Sequence, residues 1–213
     1  MEYLLLLLPG MLKGTSVTLQ LFFLTLIMAL PLGIILAIAR LSKFKPLNIF
    51  MQIYIWVFRG TPLLLQLLFV YFGLSIVGIK FDRFTAAVIA FVLNYGAYLA
   101  EIYRAGIQSI DIGQYEAADV LGLNRYQTMT KIILPQVFKR VLPPISNEVI
   151  NLVKDTALIY AIGITELLRV AKNDAVRDFS FTPFIVAAAF YLIMTGVIQQ
   201  FFKWLESKYD YYH

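Results

Sequence analysis

Ionisable and amide side chains within long apolar stretches are the residues of this sequence most able to do chemistry. They follow two helical faces, at i, i+4, i+7 and at i, i+3, i+7: Asn94, Tyr98 and Glu101, and Glu148, Asn151 and Asp155. Such groups are costly inside a membrane and usually face a bundle interior or a water-filled route. We therefore expect a shared wet interior. The candidate residues for a solute route are Asn94, Tyr95, Tyr98, Glu101, Asn151, Asp155, Thr156 and Glu166.

The same residues also have a structural interpretation. Polar side chains in membrane helices often bond to one another and stabilise helix packing. Glu166 could instead pair with Arg169 at i+3. Lys154 and Asp155 are sequence neighbours about 100° apart on a helix, so they need not pair with each other. The pattern alone leaves these alternatives open.

Several kinds of chemistry are disfavoured by what the chain contains. It has no cysteine, and its single histidine is the terminal His213, so we expect no disulfide, no metal site and no histidine base. It has no G-x-x-x-x-G-K-[ST] phosphate loop, so we expect no ATP binding or hydrolysis by this chain itself. We expect no cofactor in the chain and no enzymatic activity.

We expect these polar residues to lie on membrane-spanning helices. The chain is 60% hydrophobic and 15% charged, with a mean hydropathy of +0.76. A spanning helix needs about 20 apolar residues, and five stretches qualify, at roughly 15–39, 52–77, 84–103, 141–162 and 183–204. We predict an all-α, polytopic bundle forming a single domain over residues 1–213. The Leu4–Leu8 run is too short to span, and we expect it to be retained rather than cleaved.

Local sequence features add detail to these spans. Pro62 in "FRGTP" removes a backbone donor, so a kink or a helix break is expected inside the second span. The aromatic residues Tyr54, Trp56, Trp204, Tyr209 and Tyr211 fit an interfacial belt better than a ligand cage.

The charge distribution predicts how the chain is oriented. The net charge of +5 includes the cluster "ARLSKFKP" directly after the first span. Short basic loops remain on the cytoplasmic side, so we place the N-terminus outside and the C-terminus in the cytoplasm. This explanation of the positive charge is preferred to nucleic-acid binding.

A polar insert at about 104–136 separates the third and fourth spans. Asp111 with Gln114 and Asn124 with Gln127 are variants of the capping box, and each predicts the start of a short helix. Gly122 suits the left-handed end of the first helix. We expect the second helix to end at Pro135. Glu116, Ala117 and Ala118 would give a docking surface with one charge and two small side chains.

The insert resembles the EAA motif of bacterial ATP-binding-cassette importer permeases. The matching residues are Glu116, Ala117, Ala118, Gly122, Ile132, Leu134 and Pro135. The stretches "FRGTP", "YLAEIYRAGIQSI", "GQYEAA", "ILPQ" and "VKDTALIYAIGITEL" are similar to the branch that takes up polar amino acids. Ala157, where serine is expected, and the pair Asp111 and Ile112 depart from that branch, but neither departure touches the docking residues.

This resemblance implies a type I importer fold and a set of partners. The insert would be a coupling helix on a separate ATPase, contacting it through Glu116, Ala117, Ala118, Leu121, Gly122 and Arg125. ATP and Mg²⁺ would then bind the ATPase subunits. A second permease copy or a paralogue, with a homodimer favoured, and an extracytoplasmic substrate-binding protein would complete the complex. The location implied is the cytoplasmic membrane of a bacterium, in contact with lipid.

The polar faces suggest what the cargo would be. Three carboxylates, of Glu101, Glu148 and Asp155, stand against one ammonium group, of Lys154. With the family resemblance, this favours a neutral or cationic amino acid such as arginine, lysine, histidine or glutamine, and Glu166 could hold a guanidinium or ammonium group. The alternative is an ion-coupled secondary transporter, although the repeats typical of such folds are not evident in the sequence. A third possibility is a scaffold that only anchors a cytoplasmic partner.

Overall fold

The computed structural model describes residues 2–209, and every regular element within them is helical. The helices are α1 Glu2–Arg40, α2 Lys45–Gly60, α3 Leu63–Leu68, α4 Leu74–Ile76, α5 Arg83–Gln108, α6 Ile112–Val120, α7 Arg125–Thr128, α8 Leu134–Asp155, α9 Leu167–Asp178 and α10 Thr182–Lys208. The all-α prediction is confirmed for this part of the chain. Tyr211 and His213, assigned above to the aromatic belt and to the terminus, lie outside the described residues.

Helices α1 and α5 pack closely and form the centre of the bundle. The approach depends on glycine: a Cβ added at Gly33 would lie 2.7 Å from the Leu99 Cβ, and one at Gly96 would lie 2.8 Å from the Leu32 Cδ2. Small residues at such interfaces let membrane helices approach each other. Helix α8 packs against α5 and α10, so the polar faces of α5 and α8 are brought together.

The predicted break at "FRGTP" is present. Helix α2 ends at Gly60, Thr61 and Pro62 are extended, and α3 begins at Leu63. The segments Lys45–Gly60 and Leu63–Ile76 are bent by 105° relative to each other. The second segment comprises α3 and α4, joined by a π-helical turn at Phe69–Gly73. The predicted second span is therefore two helices, because Pro62 cannot donate a hydrogen bond and disfavours a helical conformation at Thr61.

Fewer helices qualify as spans than the sequence predicted. Among the described residues, three helices are long and apolar enough to cross a membrane, and the bent pair would add a fourth if it counts as one span. The predicted fourth span, 141–162, is not one apolar helix. Helix α8 stops at Asp155, and a 3-10 segment, Thr156–Ile162, leads to Gly163 at φ +88°. Charged residues along α8, including Glu148 and Lys154, make it amphipathic.

The insert folds as two short helices, α6 and α7, each with a capped N-terminus. Leu121 ends α6, and Gly122 takes φ +73° as predicted. The Gly122 and Leu123 amides donate to the carbonyls of Asp119 and Ala118, which is a Schellman motif. Asn124 and Gln127 form the predicted reciprocal capping box. Asp111 caps α6 through the Gly113 amide rather than through Gln114, so the first capping box is only partly correct.

The prediction that Pro135 ends the second helix of the insert is wrong. Helix α7 continues through a π-helical turn, Met129–Ile133, directly into α8, and Pro135 lies in the first turn of α8. A π turn changes the hydrogen-bond register locally, and proline is tolerated in a first helical turn, where its missing donor matters least. The insert is thus connected to α8 by continuous helix.

Candidate functional site

A cavity of about 260 Å³ lies where the helix break faces the polar sides of α5 and α8. Its lining residues are Thr61, Pro62, Leu63, Asn94, Tyr95, Tyr98, Glu148, Asn151 and Asp155. The structure thus brings together five of the residues proposed from sequence, Asn94, Tyr95, Tyr98, Asn151 and Asp155. Both walls carry hydrogen-bonding groups, and Glu148 and Asp155 add two carboxylates. The site can therefore accommodate a small polar solute with a positively charged group.

Tyr95 and Asp155 join the two walls of this cavity. The Tyr95 hydroxyl donates to Asp155 Oδ2 at 2.7 Å. Tyr95 is buried and Asp155 is half-buried, whereas Lys154 points to the exposed side of α8. Consecutive residues on a helix face different directions, which explains the difference between Asp155 and Lys154.

Asn94 is buried beside the helix break, and its side-chain amide is engaged in the protein. Its Nδ2 donates to the Phe58 carbonyl at 3.1 Å and to Gln66 Oε1 at 3.0 Å. The packing role left open for these polar residues thus applies to this group. Sequence reasoning missed Gln66, although a polar amide in the apolar run "LLLQLL" directly after Pro62 was an available signal.

Glu101 does not line this cavity, which corrects its grouping with Asn94 and Tyr98. Arg104 forms a bidentate salt bridge with its carboxylate: Nε donates to Oε2 at 2.8 Å, and Nη2 donates to Oε1. The Arg59 guanidinium lies 4.0 Å from the same carboxylate and stacks 5.3 Å from the centre of the Tyr98 ring. Because Glu101 lies one turn beyond Tyr98, it reaches a second cavity, of about 370 Å³, lined by Arg40, Gln52, Ile55, Trp56, Arg59, Gly60 and Glu101.

Thr156 and Glu166 are also placed away from the proposed route. Thr156 is fully buried, and its hydroxyl donates to the Val153 carbonyl at 2.6 Å. Glu166 has 0% exposure and caps α9, accepting from the Leu168 and Arg169 amides at 2.7 Å each. Burial raises the pKa of Glu166, and the two amides act in the opposite direction.

Neither predicted role of Glu166 is present. Its oxygens are occupied by backbone amides and by the Tyr191 hydroxyl at 3.1 Å, so they do not face a solute. The Arg169 guanidinium donates to the Tyr160 carbonyl rather than to this carboxylate. A carboxylate is well suited to a helix N-terminus, where orphan amides and the helix dipole attract it.

The insert presents a groove of about 460 Å³. Its lining residues are Tyr115, Glu116, Asp119, Leu123, Arg125, Thr128 and Met129. Glu116 and Arg125, proposed as docking residues, therefore share one surface. Ala117 is exposed, but Ala118 is only 1% exposed, so the prediction that both methyl groups form the docking surface is wrong for Ala118. Successive helical positions face different directions, and Ala118 faces the hairpin interior.

Exposed apolar side chains extend the surface of the insert. Leu121, which was proposed from sequence, is joined by Ile112, Val120 and Tyr126, and Val120 is 87% exposed. These last three were missed because each is ordinary in a helix, and only the fold shows that nothing in the described chain covers them. Each of these side chains is more than 70% exposed among the described residues.

Among residues 2–209 no group of three or more His, Cys, Asp or Glu side chains could hold a metal ion. The cavity at the helix break therefore offers hydrogen bonds and carboxylates, and the insert offers a mixed apolar and charged surface.

Comparison with known proteins agrees with this geometry. The chain is 41% identical over 198 residues to a putative glutamine transport system permease protein of Rickettsia conorii, covering 92% of this chain and 91% of that protein. It is 40% identical over 202 residues to the arginine transport system permease protein of Bacillus subtilis, covering 94% and 92%. An L-cystine transport system permease protein of Bacillus subtilis is 37% identical over 206 residues, covering 96% and 88%.

A solved structure shares both the fold and the sequence pattern. The crystal structure of an amino acid ABC transporter with histidines contains a chain that superposes with a TM-score of 0.90, at 38% identity and with 97% of each chain covered. An inward-facing methionine transporter matches at a TM-score of 0.69 and 19% identity, over 98% of each chain, which shows the fold alone.

The sequence profile of one family covers residues 29–211, most of the chain, and is described as the binding-protein-dependent transport system inner membrane component. The resemblance found in the motif of the insert is confirmed, as is the expectation that the chain is a transport component and not an enzyme. The chain belongs to the family of binding-protein-dependent transport system inner membrane components.

Proposed function

We propose that this chain forms the membrane pathway of an ATP-driven importer for polar amino acids. The observation that carries the proposal is the match to the amino acid ABC transporter chain, at a TM-score of 0.90 over 97% of both chains. Relatives named for glutamine, arginine and cystine transport support the same class of cargo. An ion-coupled secondary transporter, considered from sequence, has no such support.

The insert would couple the pathway to a separate ATPase, which binds ATP and Mg²⁺. Glu116 and Arg125 on one groove, with Leu121 and Val120 exposed beside it, suit docking into a partner surface. The continuous helical path from Arg125 through the π turn into α8 supports transmission of force as a rigid element. Asp155 lies at the other end of α8, so movement of the insert would reach the cavity wall.

The topology we propose has five crossings, with the N-terminus outside and the insert in the cytoplasm. In it, α1, the bent pair, α5, α8 with the 3-10 segment, and α10 each cross once. The basic residues Arg40, Lys43 and Lys45 after α1 support this orientation. We also propose that two permease subunits, preferably two copies of this chain, pair around the pathway. Two ATPase subunits and an extracytoplasmic binding protein would complete the complex.

The cavity chemistry favours a neutral or cationic amino acid. Glu148 and Asp155 line it, while Glu101 is neutralised by Arg104 outside it. Two carboxylates near a polar solute attract an ammonium or guanidinium group. Arg59 stacks on Tyr98 but faces the second cavity and Glu101, so we assign it no contact with the solute. Arginine, lysine, histidine and glutamine are therefore the first cargo to test.

The test uses the chain reconstituted in liposomes with its ATPase and binding protein, and a panel of amino acids. We expect one or more of them to stimulate ATP hydrolysis. Glu116→Lys should abolish the stimulation while the protein inserts normally. Lys203→Glu, a charge reversal at an exposed position near the cytoplasmic end of α10, is the control and should retain it. ATP hydrolysis that no amino acid stimulates, or full stimulation with Glu116→Lys, would count against the proposal.

A further inference from the structure

The break between α2 and α3 leaves backbone carbonyls without helical partners. The last four carbonyls of any α-helix lack an intrahelical donor, and leaving one unsatisfied at membrane depth is costly. In α2, the Val57 carbonyl accepts from the Thr61 hydroxyl at 2.8 Å, and the Arg59 carbonyl accepts from the Tyr98 hydroxyl at 3.5 Å. Side chains therefore take over from the missing backbone donors.

Gln66 supplies most of the remaining hydrogen bonds. Its Nε2 lies 2.9 Å from the Phe58 carbonyl, 3.1 Å from the Thr61 carbonyl and 2.8 Å from the Thr61 hydroxyl. One amide group thus bridges the end of α2 and the extended segment before α3. Gln66 is half-buried on the first turns of α3, so it reaches backwards across the break.

Asn94 of the neighbouring helix α5 bonds to the same Phe58 carbonyl as Gln66. Its Nδ2 donates to the Phe58 carbonyl and to Gln66 Oε1. A carbonyl oxygen only accepts, so both amides must turn their nitrogen towards Phe58, which leaves the Gln66 oxygen free to accept from Asn94. The arrangement is therefore specific to two carboxamides: a carboxylate cannot donate, and an aliphatic side chain can do neither.

We propose that Gln66, acting with Asn94, is a positioning residue that holds the helix break open and keeps Thr61 and Pro62 in the wall of the cavity. The proposal rests on the proposed function in treating that cavity as the solute site. Gln66 does not line the cavity, whereas Thr61, Pro62 and Asn94 do. Its effect on solute binding would therefore be exerted through the backbone of the break.

The first test measures the shape of the break without any transport. Because the chain has no cysteine, Leu63→Cys gives a single thiol in the cavity wall and leaves the bonds of Thr61 intact, and its alkylation rate by a water-soluble maleimide reports how exposed the break is. Adding Gln66→Leu should loosen the segment and raise that rate at least about threefold. The matched control is Gln199→Leu, an exposed glutamine of α10, which should leave the rate unchanged. A rate for Gln66→Leu that is unchanged or slower overturns the proposal.

The second test measures solute binding in the assembled complex without the reporter cysteine. Gln66→Leu should raise the amino acid concentration for half-maximal ATPase stimulation about tenfold, since it removes the hydrogen bonds that hold Thr61 in the cavity wall. ATP hydrolysis without substrate should stay at the parent level, because the insert is untouched. An unchanged half-maximal concentration, or an equal loss of both activities, overturns the positioning role.

The two tests separate this inference from the proposed function. If no amino acid stimulates hydrolysis in the parent complex while Gln66→Leu still speeds alkylation, Gln66 holds the break and the proposed function is wrong. If stimulation is normal in the parent and alkylation does not respond to Gln66→Leu, the proposed function stands and the inference about Gln66 fails.

Discussion

The Tyr95 hydroxyl and the Asp155 carboxylate meet at 2.7 Å although they are 60 residues apart in the chain. This bond connects the polar face of α5 to the last residue of α8, and both side chains line the cavity. It leaves one oxygen of Asp155 for a solute. Because α8 continues from the insert, the helix that carries Asp155 into the proposed solute site also begins at the proposed docking surface.

The contribution of this bond can be separated from that of the charge. Tyr95→Phe removes the donor and should raise the half-maximal amino acid concentration by up to about tenfold, because Asp155 is no longer oriented. Asp155→Asn keeps an acceptor for Tyr95 but removes the charge, and it should weaken a cationic amino acid more than glutamine. Substrate-stimulated ATP hydrolysis measures both. Equal effects of Asp155→Asn on the two cargos would exclude a charge contact.

Glu101 should behave differently from the cavity carboxylates. Glu101→Gln breaks a partly exposed pair with Arg104, so we expect a loss of stability of about 1 kcal/mol or less and an unchanged half-maximal amino acid concentration. Glu148→Gln, in the cavity wall, is the comparison and should shift that concentration. Thermal unfolding in detergent and the stimulation curve test the two statements. A large shift of the half-maximal amino acid concentration in Glu101→Gln would indicate that Glu101 contacts the solute.

Glu166 should matter for stability rather than for cargo. Glu166→Gln retains an acceptor at the start of α9 and removes a charge that burial disfavours, so we expect little change in stability near pH 7 and an unchanged stimulation curve. Glu166→Ala should cost more, since it leaves the Leu168 and Arg169 amides without their acceptor. Unfolding in detergent gives the cost, and a changed cargo preference in Glu166→Gln would contradict this role.

The pH dependence of stability gives a further check on Glu166. Its folded-state pKa is raised above the ordinary 4.5 by burial, so the folded state holds the proton more tightly than the unfolded state. The stability from this group is present below pH 4.5 and is lost as pH rises through the folded pKa. Glu166→Gln does not titrate, so it should remove this part of the pH dependence. Identical pH profiles for the variant and the parent would contradict that expectation.

The turn of the insert depends on glycine at one position. Gly122→Ala puts a side chain at φ +73°, although the added Cβ would meet no atom within 4 Å, so only backbone strain of about 1 kcal/mol opposes it. We expect weaker coupling to the ATPase with normal insertion. Gly196→Ala, in α10 and equally free of contacts, is the control and should be neutral or slightly stabilising. Pull-down of the ATPase distinguishes the two variants.

The two alanines of the motif should respond differently to enlargement. Ala117→Leu adds bulk to an exposed position, so the insert should fold but dock poorly. Ala118→Leu forces bulk into a buried position, so it should lower the stability of the insert by about 1–3 kcal/mol. Protease resistance of the insert and co-purification of the ATPase measure the two effects. Equal protease sensitivity of both variants would contradict the assignment of faces.

Local elements and the family motif could be predicted from residues close together in the chain. The helix break at Pro62, the left-handed turn at Gly122 and the capping box of Asn124 and Gln127 all depend on residues close in the chain. Two residues that we predicted to line a solute route make local contacts instead: Glu101 pairs with Arg104 at i+3, and Glu166 caps α9. Both contacts join residues no more than three positions apart in the chain.

The hydrogen bonds between polar groups on different helices could be found only from the tertiary structure. The bonds from Tyr95 to Asp155 and from Asn94 to Gln66 join residues 60 and 28 positions apart, and periodicity cannot set the separation or rotation of the helices that carry them. That geometry comes from close packing at Gly33 and Gly96 and from the 105° bend. The polar face of one helix can be predicted from the 3.6-residue helical period, whereas the cavity between two such faces depends on how separate helices pack.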